Sequence, residues 1–137
     1  MLGVDGLMSD NFQVITFRDT FLVLVGTILG SFFRFCLTNW FAKLSRRKYL
    51  STICVNSLST FLLAIIISSY NKFLIDSGYI LFFSLGLIGS LSTFSTFIVD
   101  ILERLQKRKI SEGFSIIILS IILSLLCGLT GHWITAF

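Results

Sequence analysis

Four long apolar runs divide the chain, and short polar stretches separate them. They cover residues of about 21–41, 52–70, 79–101 and 114–134. A helix needs about 20 apolar residues to cross the hydrocarbon core of a bilayer, and each run comes close to or exceeds that length. The pattern therefore predicts an all-α membrane protein with four transmembrane helices.

Composition supports this class and excludes others. The chain has 137 residues, of which 55% are hydrophobic and 13% are charged, whereas soluble domains carry about 25% charged residues. The net charge of +4 comes from short basic clusters between the spans, so binding to nucleic acid is not expected. We predict one four-helix transmembrane domain over residues 20–137, after a polar N-terminal tail, residues 1–19, to which no function is assigned.

The basic residues also predict an orientation. Basic loops next to membrane spans stay in the cytoplasm, which places loops 1 and 3 there and both termini outside, in the cell (inner or plasma) membrane. Eight of the eleven lysines and arginines belong to those two loops: Lys43, Arg46, Arg47, Lys48, Arg104, Lys107, Arg108 and Lys109.

The third apolar run contains a segment that suits a continuous helix poorly. Residues 86–97 read GLIGSLSTFSTF, with two glycines and five hydroxyl side chains in mid-membrane. Irregular backbone at that depth is tolerated only where protein or a water-filled cavity satisfies it. The segment therefore predicts a helix broken near its middle that forms the core of an ion pathway. The alternative is a continuous helix whose small residues serve helix packing.

Two other spans carry polar residues that need an explanation. Gly26, Gly30 and Arg34 follow at intervals of four and share a helix face, with the glycines forming a close-packing pair. Arg34 either reaches the nearby interface or forms the mouth of a vestibule that attracts an anion. Asn56 needs hydrogen-bond partners, so it either ties two helices together or lies at the same mouth.

Aromatic and acidic residues limit the chemistry. Phe94 and Phe97 share a helix side. A phenyl ring can offer its positive edge to an anion or its negative face to a cation, or it can simply pack in the core or against lipid. Asp100 is the only acid within a span and lies near its end, which argues against proton coupling; its spacing from Arg104 predicts an ion pair. No combination of residues typical of an enzyme is present. The lack of an acid deep in a span favours a passive pathway over a proton-coupled pump.

Three sequence blocks resemble a known family. Residues 26–35, GTILGSFFRF, are similar to a glycine-rich block that ends in arginine and an aromatic residue. Residues 52–61, TICVNSLSTF, are similar to the pattern Thr-Leu-x-Val-Asn-x-x-Gly-Ser-Phe. Residues 86–97 are similar to Gly-x-x-Gly-x-x-Thr-Thr-Phe-Ser-Thr-Phe, the most specific of the three. Over most of its length after residue 21, the chain resembles the Fluc-type (CrcB-like) fluoride channels.

That resemblance implies an antiparallel dimer with two pores, which lowers cytoplasmic fluoride by passive export. It implies a structural sodium ion, not transported, that is held by the backbone carbonyls of Gly89 and Ser92, with Arg34 at the entrance. The fluoride path it implies is lined by Phe94, Phe97, Asn56 and Ser95.

The chain departs from the family pattern at several positions. Ser92 replaces a threonine, Ser51 and Ser59 stand where glycine is usual, and the fourth span lacks a tyrosine. The resemblance implies either a dual-topology homodimer or a pair of similar subunits that insert in opposite orientations. The one-sided distribution of basic residues fits the second arrangement, a heterodimer with an oppositely oriented, similar subunit. Two other functions are considered: a small multidrug-type exporter, disfavoured because no glutamate lies within a span, and a non-conducting partner subunit of a channel heterodimer.

Overall fold

The computed structural model describes residues 16–44, 48–73 and 77–136, and these residues are almost entirely helical. Four stretches are long and apolar enough to cross a membrane, which confirms the predicted all-α fold with four spans. The helices are α1 (Phe17–Leu44), α2 (Lys48–Phe73), α3 (residues 77–91), α4 (Phe94–Gln106) and α5 (Ile110–Ala136). The third span consists of α3 and α4 together.

The helices extend beyond the apolar runs that predict them. α1 begins at Phe17 and α2 continues to Phe73, because a helix can leave the hydrocarbon and still satisfy its own backbone. Of the predicted tail, residues 1–15 lie outside the described residues, and residues 17–19 belong to α1. The two arginines of loop 1, Arg46 and Arg47, also lie outside the described residues.

α1 crosses α3 with backbone against backbone. A Cβ atom added to Gly26 would lie 2.7 Å from the carbonyl oxygen of Phe82 and 3.0 Å from the Cα of Gly86. One added to Gly30 would overlap the Leu87 carbonyl oxygen and the Ser90 hydroxyl. Only glycine fits where two helix backbones approach this closely, so these residues set the position of α3.

α3 is irregular before it reaches the break. A π-helical stretch, Leu81–Ile88, lies between an α-helical turn at Ser77–Ile80 and a last turn at Gly89–Leu91. The N–H of Gly89 bonds back to the carbonyl of Ser84, the longer spacing that defines a π-helix. Such stretches are rare and often occur at functional sites, and no expectation drawn from the sequence included this one.

α2 is the most enclosed helix. Ile53 and Val55 are almost fully buried, and Ile53 forms a cluster with Ile101 of α4 and Ile116 of α5. Against α5, a Cβ added to Gly131 would lie 2.7 Å from the carbonyl oxygen of Phe61. α2 is therefore held between the third span and α5.

Polar contacts tie α4 to its neighbouring helices, and they differ from the predicted ion pair. Thr52 of α2 donates a 2.7 Å hydrogen bond to the carboxylate of Asp100. Arg104 forms a 3.0 Å ion pair with Glu112 of α5 and lies over the ring of Tyr49, 5.2 Å from its centroid. These contacts replace the expected Asp100–Arg104 ion pair, because each side chain finds a partner on a neighbouring helix.

Candidate ion pathway at the break in the third span

The third span is interrupted at two residues. α3 ends at Leu91 and α4 begins at Phe94, while Ser92 and Thr93 are extended, with ψ angles of 147° and 118°. The break lies inside the third candidate membrane span, Gly78–Gln106. The predicted broken helix is confirmed, and the break falls within the glycine and hydroxyl motif.

Asn56 of α2 holds the backbone at the break. Its Oδ1 accepts a 2.8 Å hydrogen bond from the N–H of Thr93 and a 3.2 Å bond from the hydroxyl of Ser92. Its Nδ2 donates a 3.1 Å bond to the carbonyl of Thr93. The side-chain amide thus pairs with both backbone groups of Thr93, as a neighbouring peptide would.

This pairing changes the surroundings of two carbonyl groups. In a continuous α-helix the N–H of Thr93 would bond to the carbonyl of Gly89, and the N–H of Thr96 to that of Ser92. Here the Thr93 N–H is bonded to Asn56, and the Thr96 N–H is bonded to the Thr93 hydroxyl at 3.4 Å. Both carbonyl oxygens lose their helical donors, which leaves them able to bind a cation.

Thr93 caps the second half of the span. Its buried side chain, 6% exposed, accepts from the N–H of Thr96 and lies 3.2 Å from the hydroxyls of both Ser95 and Thr96. A threonine at the N-cap satisfies one of the donors that every helix start leaves open. Sequence reasoning missed this role, although a threonine directly before a helical run is a recognised start signal.

The two predicted phenylalanines face different surroundings. Phe94 is 74% exposed in the single chain, whereas Phe97 packs against the Ile53, Ile101 and Ile116 cluster. Their ring centroids are 6.3 Å apart and the rings are tilted by 42°. Phe94 and the neighbouring Ser95 therefore lie on the outer surface of the subunit, next to the break.

Opposite helix ends meet at the break. The last turn of α3 carries the partial negative charge of a helix C-terminus, and the first turn of α4 carries the partial positive charge of an N-terminus. Gly89 lies on the first side, and Phe94 and Ser95 lie on the second. The arrangement provides a cation-attracting and an anion-attracting position side by side.

The structure brings most of the predicted site residues to this region. Asn56, Ser92 and Thr93 are in direct contact, and Gly89, Phe94 and Ser95 adjoin them in the chain. Arg34 is half-buried and lies one helical turn beyond Gly30, on the face of α1 that packs against α3. Gly26 lies two turns earlier, at the helix crossing. Within the described ranges, no group of three His, Cys, Asp or Glu side chains could hold a metal ion.

Comparison with known proteins identifies the family of the chain. Residues 21–132 match the family described as CrcB-like protein, Camphor Resistance (CrcB). The chain belongs to the CrcB-like family. This membership confirms the resemblance to the Fluc-type (CrcB-like) family, and residues 86–97 lie inside the matched region.

Relatives within the CrcB-like family carry informative names. A protein of Prochlorococcus marinus named fluoride-specific ion channel FluC 1 is 34% identical over 113 residues, covering 80% of this chain and 86% of that protein. A fluoride-specific ion channel FluC of Campylobacter hominis is 34% identical over 109 residues, covering 77% and 86%. A FluC 1 of Parasynechococcus marenigrum is 29% identical over 119 residues, covering 87% and 94%.

Proposed function

We propose that this chain is a fluoride-specific ion channel that lowers cytoplasmic fluoride by passive export, and not an enzyme. Membership of the CrcB-like family and the names of its relatives support the choice of ion. The observation that carries the proposal is the break at Ser92 and Thr93 in the third span, held open by Asn56. A negative-inside potential drives an anion outward by about 2.3 kcal/mol per 100 mV.

A structural sodium ion fits the backbone at the break. Unwound carbonyls and helix C-terminal ends are groups that coordinate sodium within membranes, and the carbonyls of Gly89 and Ser92 have lost their helical donors. The ion would supply a fixed positive charge, which lowers the energy of a nearby anion. These two residues, and no side-chain carboxylate, would hold it.

The proposed fluoride path begins at the same break. Phe94 and Phe97 would offer ring edges to the anion, with Asn56 and Ser95 beside them as polar donors. The exposed position of Phe94 and the partial positive charge at the start of α4 support this path. Arg34, further along the face of α1, would attract fluoride at the entrance.

Two oppositely oriented subunits would complete the path. Gly89, Ser92 and Phe94 are exposed in the single chain, and two carbonyls supply fewer oxygens than a hard cation takes. An antiparallel dimer with two pores would provide the remaining ligands and cover the phenyl groups. The basic residues in loops 1 and 3 favour cytoplasmic loops and external termini, and therefore a similar partner of opposite orientation.

Fluoride efflux from liposomes tests the function directly. We expect the purified chain, alone or with an oppositely oriented relative, to release fluoride but not chloride, as measured with ion-selective electrodes. Efflux by the chain alone would make a second kind of subunit unnecessary. Absence of fluoride efflux in both preparations would contradict the proposal, and proton-coupled cation efflux would support an exporter instead.

The Phe94→Ile variant tests the path. Because Phe94 is 74% exposed, its replacement should leave folding intact, while loss of the ring edge should reduce fluoride efflux by about tenfold or more. Phe114→Ile is the matched control, since Phe114 is 64% exposed at the start of α5. Equal efflux by the two variants would show that the ring of Phe94 is not part of the path.

A further inference from the structure

We propose that Asn56 is a positioning residue for the cation site: its side-chain oxygen keeps the Gly89 carbonyl open by holding the N–H that would otherwise bond to it. This inference rests on the proposed function, because it concerns the sodium ion assigned to that site. In this proposal the amide oxygen of Asn56 positions the cation site, and one amide N–H remains to contact the anion.

The hydrogen bonds of Asn56 use three of the four donor and acceptor positions of its side-chain amide. An asparagine side chain has two N–H donors and two oxygen lone pairs. The N–H of Thr93 and the hydroxyl of Ser92 use both lone pairs, and the carbonyl of Thr93 uses one donor. Among the described residues this leaves one N–H, which is the only part of the side chain still able to meet an anion.

The Thr93 N–H has two alternative acceptors. One is the carbonyl of Gly89, four residues earlier, as in a continuous helix; the other is Asn56 Oδ1, which it contacts at 2.8 Å. A buried N–H without any acceptor costs about 1–3 kcal/mol, and Thr93 is buried. Without the Asn56 oxygen, we expect Ser92, which is extended with ψ of 147°, to return to helical angles. The Thr93 N–H would then bond to the Gly89 carbonyl and compete with a cation for its oxygen.

The surroundings of Asn56 keep its side chain within reach of the Thr93 N–H. Its neighbours Ile53 and Val55 are almost fully buried, and its backbone carbonyl accepts a 3.0 Å bond from the hydroxyl of Thr60 within α2. α2 is packed between the third span and α5, so the amide does not move freely. The cation site on α3 is thus defined by a side chain on another helix.

Sodium titration of thermal unfolding tests the inference in detergent, with potassium replacing sodium at constant ionic strength. In the Asn56→Leu variant we expect the half-saturating sodium concentration to rise by about tenfold or more. Asn56→Asp keeps an oxygen acceptor for the Thr93 N–H, so its sodium response should stay within about threefold of the original. Fluoride efflux should fall in both variants, because both lack the second N–H.

The test has one control variant and three outcomes that would contradict it. Ser57→Ala removes a neighbouring α2 hydroxyl, which lies 3.4 Å from that of Ser124, and should leave the sodium response unchanged. If Asn56→Leu fails to fold, Asn56→Ala takes its place. An unchanged sodium response in the Leu or Ala variant would overturn the inference alone, as would equal losses in the Leu and Asp variants. Absence of a sodium response in the original protein would overturn the proposed sodium site and this inference with it.

Discussion

The third span is held at two places by opposite means. At its crossing with α1, Gly26 and Gly86 let two backbones come together, because neither residue has a side chain. At the break, Asn56 reaches across from α2 and forms three hydrogen bonds to Ser92 and Thr93. The glycine contact with α1 fixes the position of the α3 axis, and the Asn56 contact fixes which backbone groups at the break are hydrogen-bonded.

The difference has consequences for substitutions. Close packing between helices is not directional, so it responds to added volume and hardly to polarity. Hydrogen bonds at a break are directional, so they respond to the loss of a donor or acceptor and less to size. Changes of similar size in the two regions should therefore have unequal effects.

The largest effect is expected from Gly30→Ala. The new Cβ would overlap the Leu87 carbonyl and the Ser90 hydroxyl, and over-packing of this kind costs about 3 kcal/mol. Thermal unfolding in detergent measures it. Gly113→Ala is the control, because its Cβ would be 3.9 Å from the nearest atom. Equal unfolding temperatures for the two variants would contradict the tight crossing.

A smaller effect is expected from Thr93→Val at the break. The valine keeps the shape and the N–H bonded to Asn56, but it removes the hydroxyl that caps α4. Loss of an N-cap costs about 1 kcal/mol, and the amide of Thr96 should exchange its hydrogen faster. Thr93→Ser retains the hydroxyl and should behave like the original protein. Identical exchange rates in the two variants would rule out the capping role.

The smallest effect on stability is expected from Gly89→Ala. Gly89 has helical backbone angles, and an added Cβ would meet only the carbonyl oxygen of Ser84, at 3.3 Å. The free energy of unfolding should change by less than about 1 kcal/mol, as measured by thermal unfolding. A loss of unfolding free energy as large as that of Gly30→Ala would mean that position 89 must lack a side chain for packing, in addition to supplying a carbonyl.

Much of the fold could be predicted from the sequence because bilayer physics leaves few choices. Apolar runs of sufficient length predict the four spans, and glycines with hydroxyl residues in residues 86–97 predict a break that the structure confirms. Asn56 was singled out for its need of partners. Sodium binding by the carbonyl of Gly89 and contact between fluoride and the ring of Phe94 stay predictions.

The remaining features depend on contacts between distant residues. Nothing in the sequence near Asn56 indicates that its partner is the backbone of Thr93, 37 residues away. The spacing of Asp100 and Arg104 predicts an ion pair, yet each bonds to another helix. The π-helical stretch Leu81–Ile88 also lacks a local signal, and it is the part of the third span that packs backbone to backbone against α1.

The exposed position of Phe94 would have a consequence for a single copy if the proposed antiparallel dimer forms the path. Phe94, Ser95 and Thr96 lie on the outside of the single chain, so in one copy these residues would face lipid and not a second protein wall. A surface without a second wall does not enclose a file of water. On the dimer proposal, a newly inserted single copy would therefore leave the electrical seal of the membrane intact.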